Sequence, residues 1–161
     1  MNLDQSKLRF LWVAAIALCC FAGTLFITHP EVSATSGTSV SGLATLRAMA
    51  QQSVPYQTAV ANNKPTLLEF YANWCTTCQS MAPSLKQLHH RYGKAVNFVM
   101  LNVDDPQWMG EIEKYRVNGV PQLTFLKSDR QVAKTLVGRV PETILVQLFE
   151  QIQNPNANLE T

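Results

Sequence analysis

A short apolar segment that leads into two cysteines sets the narrowest limits on how this chain folds. Residues 66–72 read TLLEFYA, the run stops at Asn73, and Trp74 leads directly into Cys75 and Cys78. Beyond Cys78 the apolar residues recur at helical spacing. Two cysteines three positions apart at a helix start can join in one disulfide, and the free N–H groups and dipole of that helix end favour a thiolate at the first cysteine. The sequence therefore predicts a redox pair between a strand and a helix.

The two cysteines have different predicted roles. Cys75 is the predicted nucleophile, and Cys78 is the predicted resolving thiol that attacks a mixed disulfide formed at Cys75. The alternative is one half of a metal site. Zinc needs four ligands, and the remaining cysteines, Cys19 and Cys20, lie in an apolar segment near the N-terminus. The redox interpretation is therefore favoured, and neither a metal nor another cofactor is predicted.

The N-terminal segment predicts a membrane anchor. Residues 10–28 carry no charge, and at about 1.5 Å per residue a helix of this length spans roughly 28 Å, close to the hydrocarbon thickness of a bilayer. Lys7 and Arg9 precede the segment, and the first charge after it is Glu31. The positive-inside rule then places residues 1–9 in the cytoplasm and the remainder of the chain across the membrane. The sequence predicts a single-pass membrane protein.

A cleaved signal peptide is the alternative for this segment. Residues 32–34, VSA, form an acceptable small-residue cleavage site. The apolar run is longer than the ~7–15 residues that are usual for a signal peptide, so an uncleaved anchor is predicted. Residues 29–42 are small and polar and predict a flexible linker, and residues 154–161 predict a polar tail.

Residues 43–153 contain the predicted globular domain. Strands are predicted at residues 66–72, 96–103, 122–127 and 132–137, and helices at residues 43–52, 54–62, 79–92, 108–115 and 141–153. From the first strand onward the order is β-α-β-α-β-β-α, which predicts an α/β fold with a mixed central sheet and helices on both faces. The net charge of +2 and the lack of a basic stripe argue against nucleic acid as a partner.

Several separated motifs give the predicted domain a family resemblance. They are the strand end FYANWC, the WCxxC motif, Pro83, the strand end LNVDD, the segment YRVNGVPQLTFL and Gly138. With these features, residues 43–153 resemble a thioredoxin. The TTC spacer, the single N-terminal span and the run PSLKQL are most similar to the membrane-anchored thioredoxin-like proteins of cyanobacterial and chloroplast thylakoids.

The resemblance implies a thioredoxin fold and a protein thiol-disulfide oxidoreductase that acts as a disulfide reductase. It places the domain in the thylakoid lumen or the periplasm. Proteins of this kind reduce disulfides of target proteins during cytochrome maturation and b6f complex assembly, and a CcdA- or DsbD-type membrane thiol carrier recharges them. The alternatives are an exported disulfide oxidant or isomerase on the same fold, and a non-enzymatic docking or copper-carrying module. The direction of electron flow stays open, because the Thr76-Thr77 spacer replaces the Gly-Pro of many thioredoxins and its donors would favour the thiolate.

The resemblance also assigns a substrate-binding role to three residues. Pro121 corresponds to the cis-proline that faces the disulfide, and a cis bond leaves the backbone of Val120 free to pair with an extended substrate. Without the resemblance, an ordinary trans proline is the expectation. Trp74 is expected to cover the sulfurs and offer a flat docking surface, and the alternative is an aromatic residue of the core.

Glu69 is the predicted proton acceptor for Cys78. Strand alternation places Glu69 on one face with Leu67 and Tyr71, and a carboxylate in so apolar a run should be buried and hard to ionise. The position matches the buried acid of the family, which is usually aspartate; the alternative is a surface acid at a strand end. Met100 stands where many thioredoxins carry a lysine near this acid, so Glu69 is expected to stay protonated to higher pH.

Overall fold

The computed structural model describes residues 36–154. In chain order the elements are α1 (Ser36–Gln52), α2 (Tyr56–Ala61), β1 (Thr66–Tyr71), α3 (Thr76–Tyr92), β2 (Asn97–Asn102), a 3-10 turn (Pro106–Trp108), α4 (Met109–Lys114), β3 (Gln122–Leu126), β4 (Val132–Val137) and α5 (Glu142–Ile152). The order predicted from the first strand onward is confirmed. The predicted boundaries differ from the observed ones by a few residues.

The four strands form one mixed sheet in the order β2-β1-β3-β4. Strand β1 pairs with β2 in parallel and with β3 in antiparallel orientation, and β3 pairs with β4 in antiparallel orientation. The residues of β1 and β3 are all buried, because each of these central strands has a neighbour on both sides and helices above and below. The predicted mixed sheet is confirmed.

The helices cover both faces of the sheet, as predicted. On one face, α1, α3 and α5 pack over a core that contains both cysteines of the CxxC motif. On the other face, α2 and the region of α4 pack over a smaller core around Tyr56, Phe70 and Leu126. The larger core includes a stack of aromatic rings, in which the ring centroids of Phe98 and Phe149 are 5.0 Å apart. The CxxC pair therefore sits at the rim of the larger core.

Helix α1 corrects one predicted boundary. The flexible linker predicted for residues 29–42 is wrong from Ser36 onward, because α1 begins there. The small residues of this segment predicted flexibility, but tertiary packing outweighs a weak local preference. Gly42 lies so close to α3 that a Cβ atom on it would be 2.6 Å from the carbonyl oxygen of Gln79. The absence of a side chain at Gly42 therefore allows α1 to pack closely against α3.

Helix α5 buries one apolar face. Ile144 is apolar but lies outside this face and is 40% exposed. The inward stripe consists of Leu145, Leu148, Phe149 and Ile152, which are all buried. These four residues follow the i, i+3, i+4, i+7 spacing of one helix face, and Ile144 lies at its edge.

In the part of the chain from residue 36 to residue 154, no helix has the length and apolar character needed to cross a membrane. The predicted span at residues 10–28 and the N-terminal segment 1–9 lie outside the described residues. Residues 29–35 of the predicted linker and residues 155–161 of the predicted tail also lie outside them.

Candidate redox site

The two cysteines of the CxxC motif are joined in a disulfide at the N-terminus of α3. Strand β1 ends at Tyr71, and Cys75 is the N-cap residue of the helix, with its Cα atom 5.3 Å from that of Cys78. The backbone N–H of Cys78 donates a hydrogen bond to the Cys75 sulfur over 3.0 Å. An N–H donor at this distance stabilises a thiolate on Cys75 when the bond is reduced. The structure therefore contains the predicted Cys75–Cys78 bond.

The two sulfurs differ in their access to solvent. Cys75 keeps 5% of its surface exposed, whereas Cys78 is fully buried at 0%. An incoming thiolate can therefore reach the disulfide only from the side of Cys75. In the described part of the chain, no three side chains of His, Cys, Asp or Glu come together as a metal site would require.

The charges along α3 favour an anion at its N-terminus. Its first turn contains no acidic residue, and its last turn contains the cation Arg91. Cations at the C-terminal end of a helix interact favourably with the dipole, and an acid in the first turn would have competed for the positive end. The positive end of α3 is thus directed at the Cys75 sulfur without a competing carboxylate on its own first turn.

Glu69 is buried in the middle of β1 and only 2% exposed. Its partners on the neighbouring strands are Met100 and Leu123, and its Oε1 atom has no hydrogen-bond partner among the described residues. Burial raises the pKa of Glu69 from 4.5 to about 8. The prediction of a buried carboxyl that stays protonated to higher pH is confirmed, and the surface-acid alternative is wrong. Burial is the cause of this shift, and Met100, the partner of Glu69 on β2, brings no charge that would oppose it.

Glu69 faces the same core as the cysteines. Leu67 and Tyr71, two positions before and after it on β1, both belong to the core cluster that contains Cys75 and Cys78. Side chains two apart on a strand point to the same face. The arrangement therefore places a protonatable carboxyl in the apolar core that surrounds the buried sulfur.

The Val120–Pro121 peptide bond lies beside the same end of β1, and it is cis. Strand β3 begins at the next residue, Gln122, which pairs with Phe70 of β1. One further step along this antiparallel register brings Pro121 beside Tyr71, and Val120 packs against the core cluster that contains the cysteines. The predicted cis conformation is confirmed, and the trans alternative is wrong.

Trp74 lies on the surface next to the disulfide and is 65% exposed. Its indole N–H donates a hydrogen bond to Oδ1 of Asp104 over 3.2 Å. The core alternative for Trp74 is therefore wrong, and the ring is oriented by a polar contact. The sequence did not predict a role for Asp104. The signal that points to it is its position after β2, because the carboxyl ends of parallel β1 and β2 meet at one edge of the sheet.

Gln79 is a second residue without a predicted role. Its side-chain amide donates a hydrogen bond to the carbonyl oxygen of Asn73 over 2.7 Å, and its backbone N–H donates to the carbonyl oxygen of Cys75 over 3.1 Å. No spacing in the sequence signals the first bond, because it depends on how the loop after β1 folds back onto α3.

Residues 47–151 match the family described as Thioredoxin. The chain belongs to the thioredoxin family. Over 145 residues it is 44% identical to the thiol:disulfide interchange protein TxlA homolog of a Synechocystis species, and the match covers 90% of this chain and 76% of that protein. Over 102 residues it is 39% identical to the chloroplastic thioredoxin-like protein HCF164 of Arabidopsis thaliana, and the match covers 63% of this chain and 39% of that protein.

A thioredoxin from Halobacterium salinarum is a similar solved structure. It has 28% identity and a TM-score of 0.54, and the match covers 60% of this chain and 81% of that one. The predicted resemblance to thylakoid thioredoxin-like proteins is confirmed by the relatives. The family, the CxxC disulfide and the thiol:disulfide interchange relatives identify this thioredoxin as a thiol-disulfide oxidoreductase. The chain spans less than half of the plant relative, so that protein's full range of activities does not carry over to it directly.

Proposed function

We propose that this thioredoxin is a membrane-tethered dithiol reductase that reduces disulfides of protein targets on the exported side of a membrane. The observation that carries the proposal is the disulfide at the N-terminus of α3, of which only the Cys75 side reaches solvent. The uncharged residues 10–28 support the tether. The names of the relatives support thiol-disulfide exchange as the chemistry.

The proposed reaction begins with the reduced dithiol. The Cys75 thiolate attacks one sulfur of a target disulfide, forms a mixed disulfide and releases the first target thiolate. In molecules in which Glu69 is ionised, a fraction that grows as the pH approaches its pKa of about 8, Cys78 gives its proton to this carboxylate. Cys78 then attacks the Cys75 sulfur, which releases the second target thiolate and forms the Cys75–Cys78 bond. Two electrons pass to the target. The Cys75–Cys78 disulfide seen in the structure is the product of this reaction.

Substrate binding is assigned to the surface around the exposed sulfur. The exposed ring of Trp74 offers a flat apolar surface beside Cys75, and Asp104 holds its orientation. Val120 packs against the core cluster that contains the cysteines, and an extended segment of the target could pair with its backbone. A protein substrate with an accessible disulfide on an extended strand fits this arrangement.

The proposed location is the thylakoid lumen or the periplasm, with residues 1–9 in the cytoplasm. One relative is described as chloroplastic, and another comes from a cyanobacterium, which supports a thylakoid association. The proposed targets are proteins of cytochrome maturation and assembly. A soluble reductant does not cross a membrane readily, so the proposed electron donor is a CcdA- or DsbD-type membrane thiol carrier.

The oxidant or isomerase alternative is kept because one contact favours it. The N–H of Cys78 that donates to the Cys75 sulfur stabilises the thiolate, and a more stable thiolate makes the disulfide more oxidising. The reduction potential of the full chain decides between the two. A value near ~−250 mV supports the reductase, and a value near ~−120 mV supports the oxidant and overturns the proposal.

The function itself is tested with insulin as the disulfide substrate and a Cys75→Ser variant as the control. We expect the wild-type chain to reduce insulin in the presence of a dithiol, and Cys75→Ser to be inactive. The Cys78→Ser variant should stop at the mixed disulfide and retain its targets covalently, which identifies them. Activity of Cys75→Ser equal to that of the wild type would leave only the docking or copper-carrying alternative.

A further inference from the structure

Helix α1 makes an unusually close contact with the helix that carries the cysteines. At Gly42 a Cβ atom would lie 2.6 Å from the carbonyl oxygen of Gln79, 3.1 Å from its carbonyl carbon and 3.3 Å from its Cβ. Two of these atoms belong to the backbone and cannot turn away. Only glycine therefore fits at this position without a shift of one helix relative to the other.

The carbonyl group that Gly42 approaches lacks its normal partner within α3. Pro83 lies inside this helix, four residues after Gln79. In an α-helix the N–H of the fourth following residue bonds to each carbonyl oxygen, and proline has no N–H. The hydrogen-bond ladder of α3 is thus open at the carbonyl group of Gln79, and Gly42 packs against this opening.

Gln79 connects this contact to the cysteines. Its side-chain amide donates a hydrogen bond to the carbonyl oxygen of Asn73 over 2.7 Å, and its backbone N–H donates one to the carbonyl oxygen of Cys75 over 3.1 Å. Asn73 and Cys75 enclose Trp74, so one residue fixes both ends of the short loop that presents the nucleophile. A displacement of Gln79 moves this loop relative to the first turn of α3.

We propose that Gln79, held by Gly42, is a positioning residue that sets how strongly Cys75 is stabilised as a thiolate. This inference rests on the proposed redox role of Cys75 and Cys78. The stabilising contact is the 3.0 Å hydrogen bond from the Cys78 N–H to the Cys75 sulfur. If the loop moves, this bond lengthens, the pKa of the Cys75 thiol rises, and the disulfide becomes less oxidising.

The test uses the full chain in detergent and its equilibrium with glutathione. In this exchange the dithiol gives two electrons and two protons to one glutathione disulfide, which becomes two molecules of reduced glutathione, while Cys75 and Cys78 join. Gln79→Leu removes the amide and keeps the size of the side chain, and Gly42→Ala adds the atom that cannot fit. Gly110→Ala is the matched control, because a Cβ atom at Gly110 would meet nothing within 4 Å.

We expect Gln79→Leu and Gly42→Ala each to shift the exchange constant about 3- to 10-fold toward the disulfide, as the loss of one hydrogen bond predicts. The pKa of the Cys75 thiol should rise in both variants, and Gly110→Ala should stay within about twofold of the wild type. The double variant should shift by less than the product of the two single shifts, because both act through Gln79.

The inference is overturned if both variants unfold at lower temperature while the exchange constant and the thiol pKa remain at wild-type values, since that would show a purely structural role. If Gly42→Ala does not fold, Gln79→Leu alone decides, because it leaves the close contact of the helix backbones unchanged. A wild-type chain that does not exchange with glutathione at all would instead overturn the proposed function, and this inference with it.

Discussion

Asn97 and Glu69 are both polar, both buried and both part of the same sheet, but their surroundings differ sharply. Asn97, at the start of β2, donates through its amide to Ala59, Asn62 and Thr66, and its oxygen accepts a hydrogen bond from Asn62. Glu69, in the middle of β1, has apolar neighbours on both adjacent strands and an Oε1 atom without a partner among the described residues.

The difference separates a structural polar group from one that needs another explanation. A satisfied buried amide stabilises the fold by about 0.5–1.5 kcal/mol for each hydrogen bond, whereas an unsatisfied buried polar atom costs about 1–3 kcal/mol. Asn97 ties the end of α2 to the bottom of the sheet, and this is a sufficient reason for its presence. Glu69 destabilises the fold where it stands, next to the core of the CxxC pair, which supports the proposed role in proton transfer.

The largest expected effect is on catalysis and concerns Glu69→Gln. This variant should reduce insulin about 100-fold more slowly at neutral pH, because Cys78 loses its proton acceptor. Its free energy of unfolding at that pH should rise, because glutamine has no carboxyl group whose ionisation favours the unfolded chain. Stopped-flow measurement of the resolving step and chemical denaturation give the two values. Glu113→Gln, an exposed glutamate, is the control. An equal rate in Glu69→Gln and Glu113→Gln would remove Glu69 from the mechanism.

Asn97→Ala should show the opposite pattern. It breaks the hydrogen bonds to α2 and β1, so the free energy of unfolding should fall by about 2 kcal/mol, while insulin reduction stays within about threefold of the wild type. The exposed Asn118→Ala serves as the control in the same denaturant titration. A loss of activity without a loss of stability in Asn97→Ala would break the distinction between the two residues.

The two residues should also differ in how stability depends on pH. The pKa of Glu69 is raised from 4.5 to about 8 in the folded chain, so between these values the folded state holds a proton that the unfolded state releases. The contribution of Glu69 to stability is therefore complete below the unfolded pKa and falls by about 1.4 kcal/mol per pH unit up to about pH 8. Glu69→Gln should lose this slope, and Asn97→Ala should keep it. Denaturation curves between pH 5 and pH 8 check both, and identical slopes in wild type and Glu69→Gln would contradict the assignment.

The smallest expected effect follows from Met100→Lys. A cation beside Glu69 should lower the pKa of its carboxyl by about one unit, because the opposite charge favours the ionised form. The pH profile of insulin reduction should move to lower pH by the same amount. Met109→Lys, at an exposed position at the start of α4, should leave the profile unchanged. A profile that does not move in Met100→Lys would separate Glu69 from the pH dependence.

Most of the fold could be predicted from local patterns. Continuous apolar runs identify β1 and β2, alternation and a polar turn identify the hairpin of β3 and β4, and the WCxxC motif fixes where β1 passes into α3. The first part of α1 could not be predicted, because Gly42 packs against Gln79 of α3, which lies 37 residues further along the chain. Local patterns do not carry information of that kind.

In the candidate site, too, some features could be predicted from the local sequence and others depend on distant packing. The burial and high pKa of Glu69 could be predicted from the composition of its own strand. The cis bond at Pro121 could be predicted only from the family resemblance, since most X–Pro bonds are trans. The contacts of Asp104 with Trp74 and of Gln79 with Asn73 could not be predicted, because each joins two loops or elements whose approach is set by the packed sheet and helices.

The uneven distribution of charge along α3 has a consequence for the conditions in which the protein works. Its positive end points at a sulfur that is negative only after reduction, and the last turn at its other end already carries Arg91. The attraction therefore exists in one redox state and vanishes in the other. Since Cys75 keeps 5% of its surface exposed to solvent, dissolved ions weaken this attraction in part, over a Debye length of about 8 Å at physiological ionic strength. The equilibrium between dithiol and disulfide should thus shift toward the disulfide as salt is added. The salt concentration of the compartment therefore helps to set the redox state of the enzyme.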